Sequence, residues 1–452
     1  MRKRIAEHTI LFISVLKWSF LATIMGCIVG AATAIFLKTL AWGTKAVQTN
    51  PYYFLLIPVA FFVSALLVKV FAPDAEGHGT EKVIEALHQH EGRINPAVVP
   101  VKLIATVVTL AFGGSAGKEG PCAQIGAGLA SLFAVFFKFD VHDRKKLLIC
   151  GVSAGFASVF GTPLAGALFG VEVLFIGTIL YDVLLPSFIA GVIGFHVAST
   201  MGATYFHYSL QFMPVFNEFF FVKVCMAGVF FGLCSSFLVE SLNAGSYFSR
   251  KLKMSKPVKG LIGGAVLVLL AFVFSTKFLG LGLDTIESCL QGAPIPWYSF
   301  LVKSIFTGIT LGFGGSGGIV TPIFFVGTTA GSLFASWFHL DPGTFAAIGF
   351  VALLAGATNT PIAASVMAVE LFGTEIAPYA TVACVISFLM TGHRSVYHSQ
   401  ILAIQKSPSI AVKVGEEVDK LNPTVILREK GWTKHINDFF DLCVRVVQRK
   451  KK

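Results

Sequence analysis

Charge is scarce in this chain. Of its 452 residues only 13% are charged, against roughly 25% in an ordinary soluble domain, while 55% are hydrophobic and the mean hydropathy is +0.76. A soluble globular protein is excluded. Acidic residues are the scarcer sign, 24 against 35 basic ones, and the net charge of +11 comes largely from clusters. These lie at Met1-Arg-Lys-Arg, Arg144-Lys145-Lys146, Arg250 to Lys259 and Lys450-Lys451-Lys452, beside apolar runs, as the positive-inside rule expects of cytosolic flanks. The basic balance therefore reflects membrane topology and gives no reason to invoke nucleic acid. Cysteine motifs are missing too: the eight cysteines show no CxxC spacing and most lie in apolar surroundings, so they read as small core residues rather than as disulfides or metal ligands. No small-residue cleavage site follows the first apolar run, so it reads as a retained helix with a cytosolic N-terminus.

What the chain does have is apolar length. Runs able to cross or enter a bilayer recur at His8 to Gly43, Tyr52 to Ala72, Val98 to Phe112, Val183 to Ser199, Phe219 to Val239, Leu261 to Phe274 and Ile376 to Met390. Several are too short to span alone, so some helices are expected to stop partway and be buried in protein. After about Thr391 the composition turns polar, and Lys413 to Lys452 reads as a short cytosolic tail with an amphipathic stretch from Ile436 to Val447.

The chain also repeats itself. FGGSAGKEGP at 112 to 121 returns as FGGSGGIVTP at 313 to 322, and GTPLAGALFGVE at 161 to 172 returns as NTPIAASVMAVE at 359 to 370. Two pairs in one order point to duplication. Each half has a glycine-rich break, a helix, and a proline-started helix ending near a glutamate; spacing leaves open whether the halves are parallel or inverted. The reading is a first membrane half at 1–245, a linker at 246–259, a second half at 260–392, and a last pore helix with the tail at 393–452.

Unwound backbone is tolerated in a membrane only where it is buried in protein or lines a cavity, so two breaks argue for an internal polar path. After each break the proline fits the first turn of a new helix, whose unpaired N–H groups and partial positive charge suit an anion. Glu119 stands at one such end, where a flexible carboxylate can occupy the anion's place and leave when protonated. The aligned position in the copy is Val320, so only one side carries the charge. The bland alternative is that Glu119 stabilises its helix dipole. Lys118 either draws anions to the entrance or anchors the helix.

A competing motif shares these residues. Gly113-Gly114-Ser115-Ala116-Gly117 matches the G-x-S-x-G nucleophile elbow of membrane and soluble hydrolases. The pattern is short, recurs at Gly314 to Gly318, and no partner can be assigned to Ser115, although His196 and His207 exist. A transport protein, not an enzyme, is the stronger reading.

The motifs in this order resemble the CLC chloride channels and transporters. GKEGP at 117 to 121 looks like their GREGP signature, GGIVTP at 317 to 322 like their GxFxP element, and the two proline-to-glutamate helices match as well. The resemblance implies an all-α membrane protein of about eighteen helices in two inverted halves, a homodimer with a separate chloride pathway in each subunit, and no organic cofactor or metal. It implies that Glu119 is the external gate, that the backbone of Gly117, Lys118, Glu119 and Gly120 and of Gly318, Ile319 and Val320 cradles the anion, and that Tyr397 is the pore tyrosine near the start of the last helix. Two departures stand out. The first signature, GSGIP in the family, is Gly77-His78-Gly79-Thr80-Glu81 here, so His78 replaces the serine beside the inner anion, facing either the pore or the vestibule water. The inner proton glutamate of the exchanging members is Val173, which favours passive conduction, with chloride/proton antiport as the alternative. Glu172 before it is expected to partner helix ends. The fluoride-exporting branch has an asparagine-rich first signature, which GHGTE does not resemble.

Overall fold

A computed structural model describes residues 2–205 and 217–425. Its helices fall into two series in matching order. The first is α1 (Arg2–Val47), α2 (Ile57–Phe71), α3 (Thr80–Gln89), α4 (Val98–Ala111), α5 (Glu119–Phe136), α6 (Val141–Phe160), α7 (Pro163–Glu172) and α8 (Leu184–Thr200). The second is α9 (Glu218–Lys251), α10 (Lys256–Val273), α11 (Leu283–Leu290), α12 (Ser299–Gly312), α13 (Val320–Phe338), α14 (Pro342–Thr358), α15 (Pro361–Phe372) and α16 (Ala377–Met390). Packing follows the same pairing: α1 lies on α4, α5, α6 and α8, and α9 on α12, α13, α14 and α16. Among the described residues six helices are long and apolar enough to cross a bilayer, and the others are shorter, as the run lengths suggested.

This pairing moves the boundary between halves. The second series begins at α9, not after the expected linker 246–259; only Leu252 to Ser255 is non-helical there. The polar composition of that stretch has another cause. Arg250, Lys256 and Lys259 line a cavity large enough to hold many waters, so the basic run marks a wet wall.

The halves are inverted relative to each other. Gly117 and Gly318 exchange both backbone hydrogen bonds in antiparallel register, N–H to O at 2.7 and 2.6 Å, so the two breaks run in opposite directions. Around them sit α5, α6, α13 and α14, helices apolar on nearly every side and therefore interior. Small residues bring these backbones together: a β-carbon on Gly151 would meet the Gly126 carbonyl, so α5 and α6 touch main chain to main chain.

The helix expected after residue 393 is absent among the described residues. Segment 391–400 is irregular because side chains take over its backbone: Ser395 Oγ accepts from the Tyr397 N–H at 3.0 Å and donates to Gln400 Oε1 at 2.6 Å. Ile401–Leu402 then pairs in parallel with Phe175–Ile176, which starts a short extended tail. The stretch from Ile436 to Val447, the lysine cluster at 450–452 and His207 lie outside the described residues.

Candidate functional site

The two glycine-rich breaks clasp each other through a symmetric set of hydroxyls. The Ser115 N–H donates to Thr310 Oγ1 at 3.0 Å and the Ser316 N–H to Thr109 Oγ1 at 2.9 Å. Ser115 Oγ meets Thr307 Oγ1 at 3.2 Å, and Ser316 Oγ meets Thr106 Oγ1 at the same distance. Ser115 is thus a buried turn residue bonded to a threonine, with a mirror image in the copy. Among the described residues its side chain meets the Thr307 hydroxyl and no base, and His196 is exposed on α8. The four threonines were readable, two per half at i and i+3 with the repeat's own offset.

Each clasp ends in a helix with no cap from its own chain neighbours: α5 begins after Lys118 and α13 after Ile319. Glu119 supplies the missing cap of α13 from the other half. Its carboxylate accepts the Thr321 N–H at 3.1 Å and the Thr321 hydroxyl through its second oxygen. A helix end holds anionic groups this way, by unpaired N–H and dipole together. Glu119, Ile319 and Val320 are fully buried, while Lys118 is partly exposed. Thr321 escaped the sequence reading, yet the signal was there. Glu119 with Gly120 faces Val320 with Thr321 in the alignment of the repeats, and these divergent residues are the ones that meet.

The Gly77-His78-Gly79 turn sits directly on this helix end. Gly77 and Gly79 have φ of +76° and +79°, and a β-carbon on Gly120 would collide with the His78 carbonyl, so only glycine lets α5 approach. The turn is held from behind by the fully buried Lys102, whose Nζ donates to the carbonyls of Ala75 at 3.0 Å and Gly77 at 2.6 Å. Lys303 does the same for Phe278 and Gly280 in the other half, at 3.1 and 2.8 Å. The His78 ring lies 6.3 Å from that of Tyr397, which is fully buried and within electrostatic reach of Glu119.

Beneath the turn opens a cavity of about 940 Å³, bordered by His78, Ser316, His398, Arg394 and the basic residues of α9 and α10. The structure thus gathers Gly117, Glu119, Gly120, Gly318, Val320, His78 and Tyr397 around one point between the clasp and the cavity. Val173 is elsewhere in role: fully buried at the end of α7, it offers only its carbonyl, which accepts from Gln400 Nε2 at 2.7 Å. Gln400 also binds the Thr358 carbonyl at 2.8 Å, tying the Tyr397 segment to both α7 and α14. Glu172 partners helix ends, accepting from the Ile362 and Ala363 N–H groups of α15 at 3.1 and 2.8 Å. Glu370 returns the favour to Leu164 and Ala165 of α7 at 2.9 and 2.8 Å.

Two inverted helical halves, joined at opposed broken helices above an internal basic cavity, define a membrane transport protein of repeat architecture. The sequence profile of the voltage gated chloride channel family matches residues 59–392, and the chain belongs to this family. It is similar to the chloride/fluoride channel protein of Pseudomonas syringae pv. tomato, 38% identical over 85% of this chain and 86% of that one. The voltage-gated ClC-type chloride channel ClcB of Escherichia coli is 30% identical over 85% of this chain and 92% of its own length. Among solved structures, a CLC-type fluoride/proton antiporter superposes with a TM-score of 0.81 at 26% identity, covering 86% of this chain and 98% of that one. A slow cyanobacterial Cl-/H+ antiporter shares the fold, with a TM-score of 0.72 at 21% identity over 83% of this chain and 94% of the other. Anion transport is the family's activity.

Proposed function

We propose that this chain moves a halide ion through each subunit in exchange for protons, and that Glu119 is the gate. The observation carrying this reading is the Glu119 carboxylate seated on the Thr321 N–H and hydroxyl, where a free anion would otherwise bind. An anion can replace that carboxylate only if it leaves, and protonation removes the charge that holds it. A gate that loads a proton each time it opens couples the two ions whenever the proton comes from one side and departs to the other.

The backbone N–H groups of Lys118 to Gly120 and of Ile319 and Val320 form the cradle, those of Gly117 and Gly318 being taken up by each other, with Tyr397 and His78 on its inner side and the Lys118 side chain at the outer approach. The basic cavity collects anions from the cytosolic side, where both termini lie; a homodimer with one pathway per subunit completes the assembly. Chloride is the expected cargo. Fluoride returns as a competing cargo despite the GHGTE signature, because the relative from Pseudomonas is named for both ions and a fluoride/proton antiporter shares the fold closely. A second reading, passive conduction, is favoured by Val173, which cannot carry a proton. Halide efflux from liposomes with Glu119→Gln tests the gate: loss of pH dependence supports it, and a wild-type profile removes it.

A further inference from the structure

Exchange needs a way for protons to reach Glu119 from the cavity, and Val173 closes the position where the family places one. The polar atoms around the His78 turn offer another. Two side-chain atoms there are buried and without a hydrogen-bond partner, His78 Nδ1 and Glu81 Oε2, and beside them the Thr80 and Tyr397 hydroxyls lie against each other. Thr80 and Tyr397 are at most 1% exposed. Leaving a buried polar atom unpaired costs about 1–3 kcal/mol, and the fold bears that cost here at a histidine and a carboxylate of the same turn.

Glu81 is the acid of this group. It stands in the first turn of α3, and its Oε1 accepts both the Ser399 N–H at 2.9 Å and the Ser399 hydroxyl at 2.6 Å. That leaves Oε2 with nothing to bind. The charged or titratable groups that Glu81 senses are His398, Lys82 and Tyr397; His78 senses the charges of His398, Lys102 and Lys82, and Tyr397 those of Glu81 and Glu119. His398 and His78 both border the cavity. These groups therefore cluster between the cavity and the gate, on the Gly77–Gly79 turn, the start of α3 and segment 391–400, and none of them belongs to α7.

We propose that Glu81 is the inner proton carrier of this protein, accepting a proton at Oε2 from the cavity side and passing one on through His78 or the Thr80 and Tyr397 hydroxyls to the Glu119 carboxylate. This rests on the exchange reading. The balance is simple: Glu81 goes from carboxylate to acid and back, each relay group gains one proton and gives one up, and Glu119 ends protonated. A carboxylate here, on a residue whose structural duty to Ser399 an amide could perform, is what a proton route requires and a mere anchor does not.

The test uses the whole protein in liposomes, with chloride and proton fluxes recorded together under an imposed chloride gradient. Glu81→Gln keeps an acceptor for Ser399 and is expected to lower the proton flux about tenfold or more relative to the chloride flux. Glu81→Asp is expected to restore much of the coupling, and Ser399→Ala, which removes the anchor and leaves the acid, to keep it. Chloride flux in Glu81→Gln doubles as the check of folding. Wild-type coupling in Glu81→Gln overturns the assignment and leaves exchange standing. Absence of uphill proton movement in the unmutated protein overturns exchange and Glu81 with it. Coupling lost equally in Ser399→Ala and Glu81→Gln assigns Glu81 to anchoring alone and also overturns it.

Discussion

Replacing Glu119 by glutamine isolates what its charge contributes to the closed gate. The amide is nearly the same shape, so packing in the fully buried site is preserved. The wild-type carboxylate takes two donors from Thr321, its N–H at 3.1 Å and its hydroxyl. Hydrogen bonds to a charged group contribute about 1.5–3 kcal/mol against about 0.5–1.5 for neutral ones, so each bond that survives weakens by about 1 kcal/mol. The amide nitrogen cannot accept, so the Thr321 hydroxyl must turn and accept from it instead, a neutral bond in place of a charged one. The attraction between a full negative charge and the α13 N-terminus, about 0.3–1 kcal/mol and more when buried, disappears as well. Together the closed state loses about 3 kcal/mol, a factor of about 100 in the closed-to-open ratio. Halide efflux from liposomes, read at neutral and acidic pH, is expected to be high at both in the variant, whereas the wild type rises only as the pH falls and Glu119 protonates. A variant whose efflux still climbs on acidification as the wild type does would refute the reasoning, because the proton would then be acting elsewhere.

Three further outcomes follow from the same geometry. Thr321→Val keeps the backbone donor and removes the hydroxyl from the carboxylate; losing one charged hydrogen bond, about 2 kcal/mol, is expected to raise neutral-pH efflux roughly 30-fold while leaving some pH dependence. Glu172→Ala strips the cap from α15 and is expected to cost about 2 kcal/mol, seen as a lower thermal unfolding midpoint in detergent with an unshifted pH profile; a shifted profile would place Glu172 in the proton path. His78→Ser is expected to change the anion selectivity series or its pH response, and an unaltered series and profile would move His78 out of the pathway.

The repeat was legible because glycine and proline at a helix break have no substitutes. The clasp of Gly117 on Gly318, the capless helix ends and the swapped caps of Glu172 and Glu370 all sit on matched positions of the two copies. Thr321 was missed because attention to what the copies share passes over where they differ. The boundary was misplaced for a related reason: the basic stretch 246–259 was read as a linker, when its polarity serves the cavity wall lined by Arg250 and Lys259. The last helix was misread because the support of segment 391–400 is non-local. Gln400 reaches the carbonyls of Val173 and Thr358, and Ser399 reaches Glu81, partners far away in sequence. No local pattern announces such contacts.

The central claim is exchange of a halide for protons through the Glu119 gate. Its most direct test is the simultaneous recording of chloride and proton movement in liposomes holding the purified protein under an imposed chloride gradient, repeated with fluoride. The account predicts that protons are driven uphill against their own gradient as the halide runs down, and that Glu119→Gln abolishes this while halide still flows. Halide flux with no proton movement in the wild-type protein would contradict exchange and leave a passive conductor.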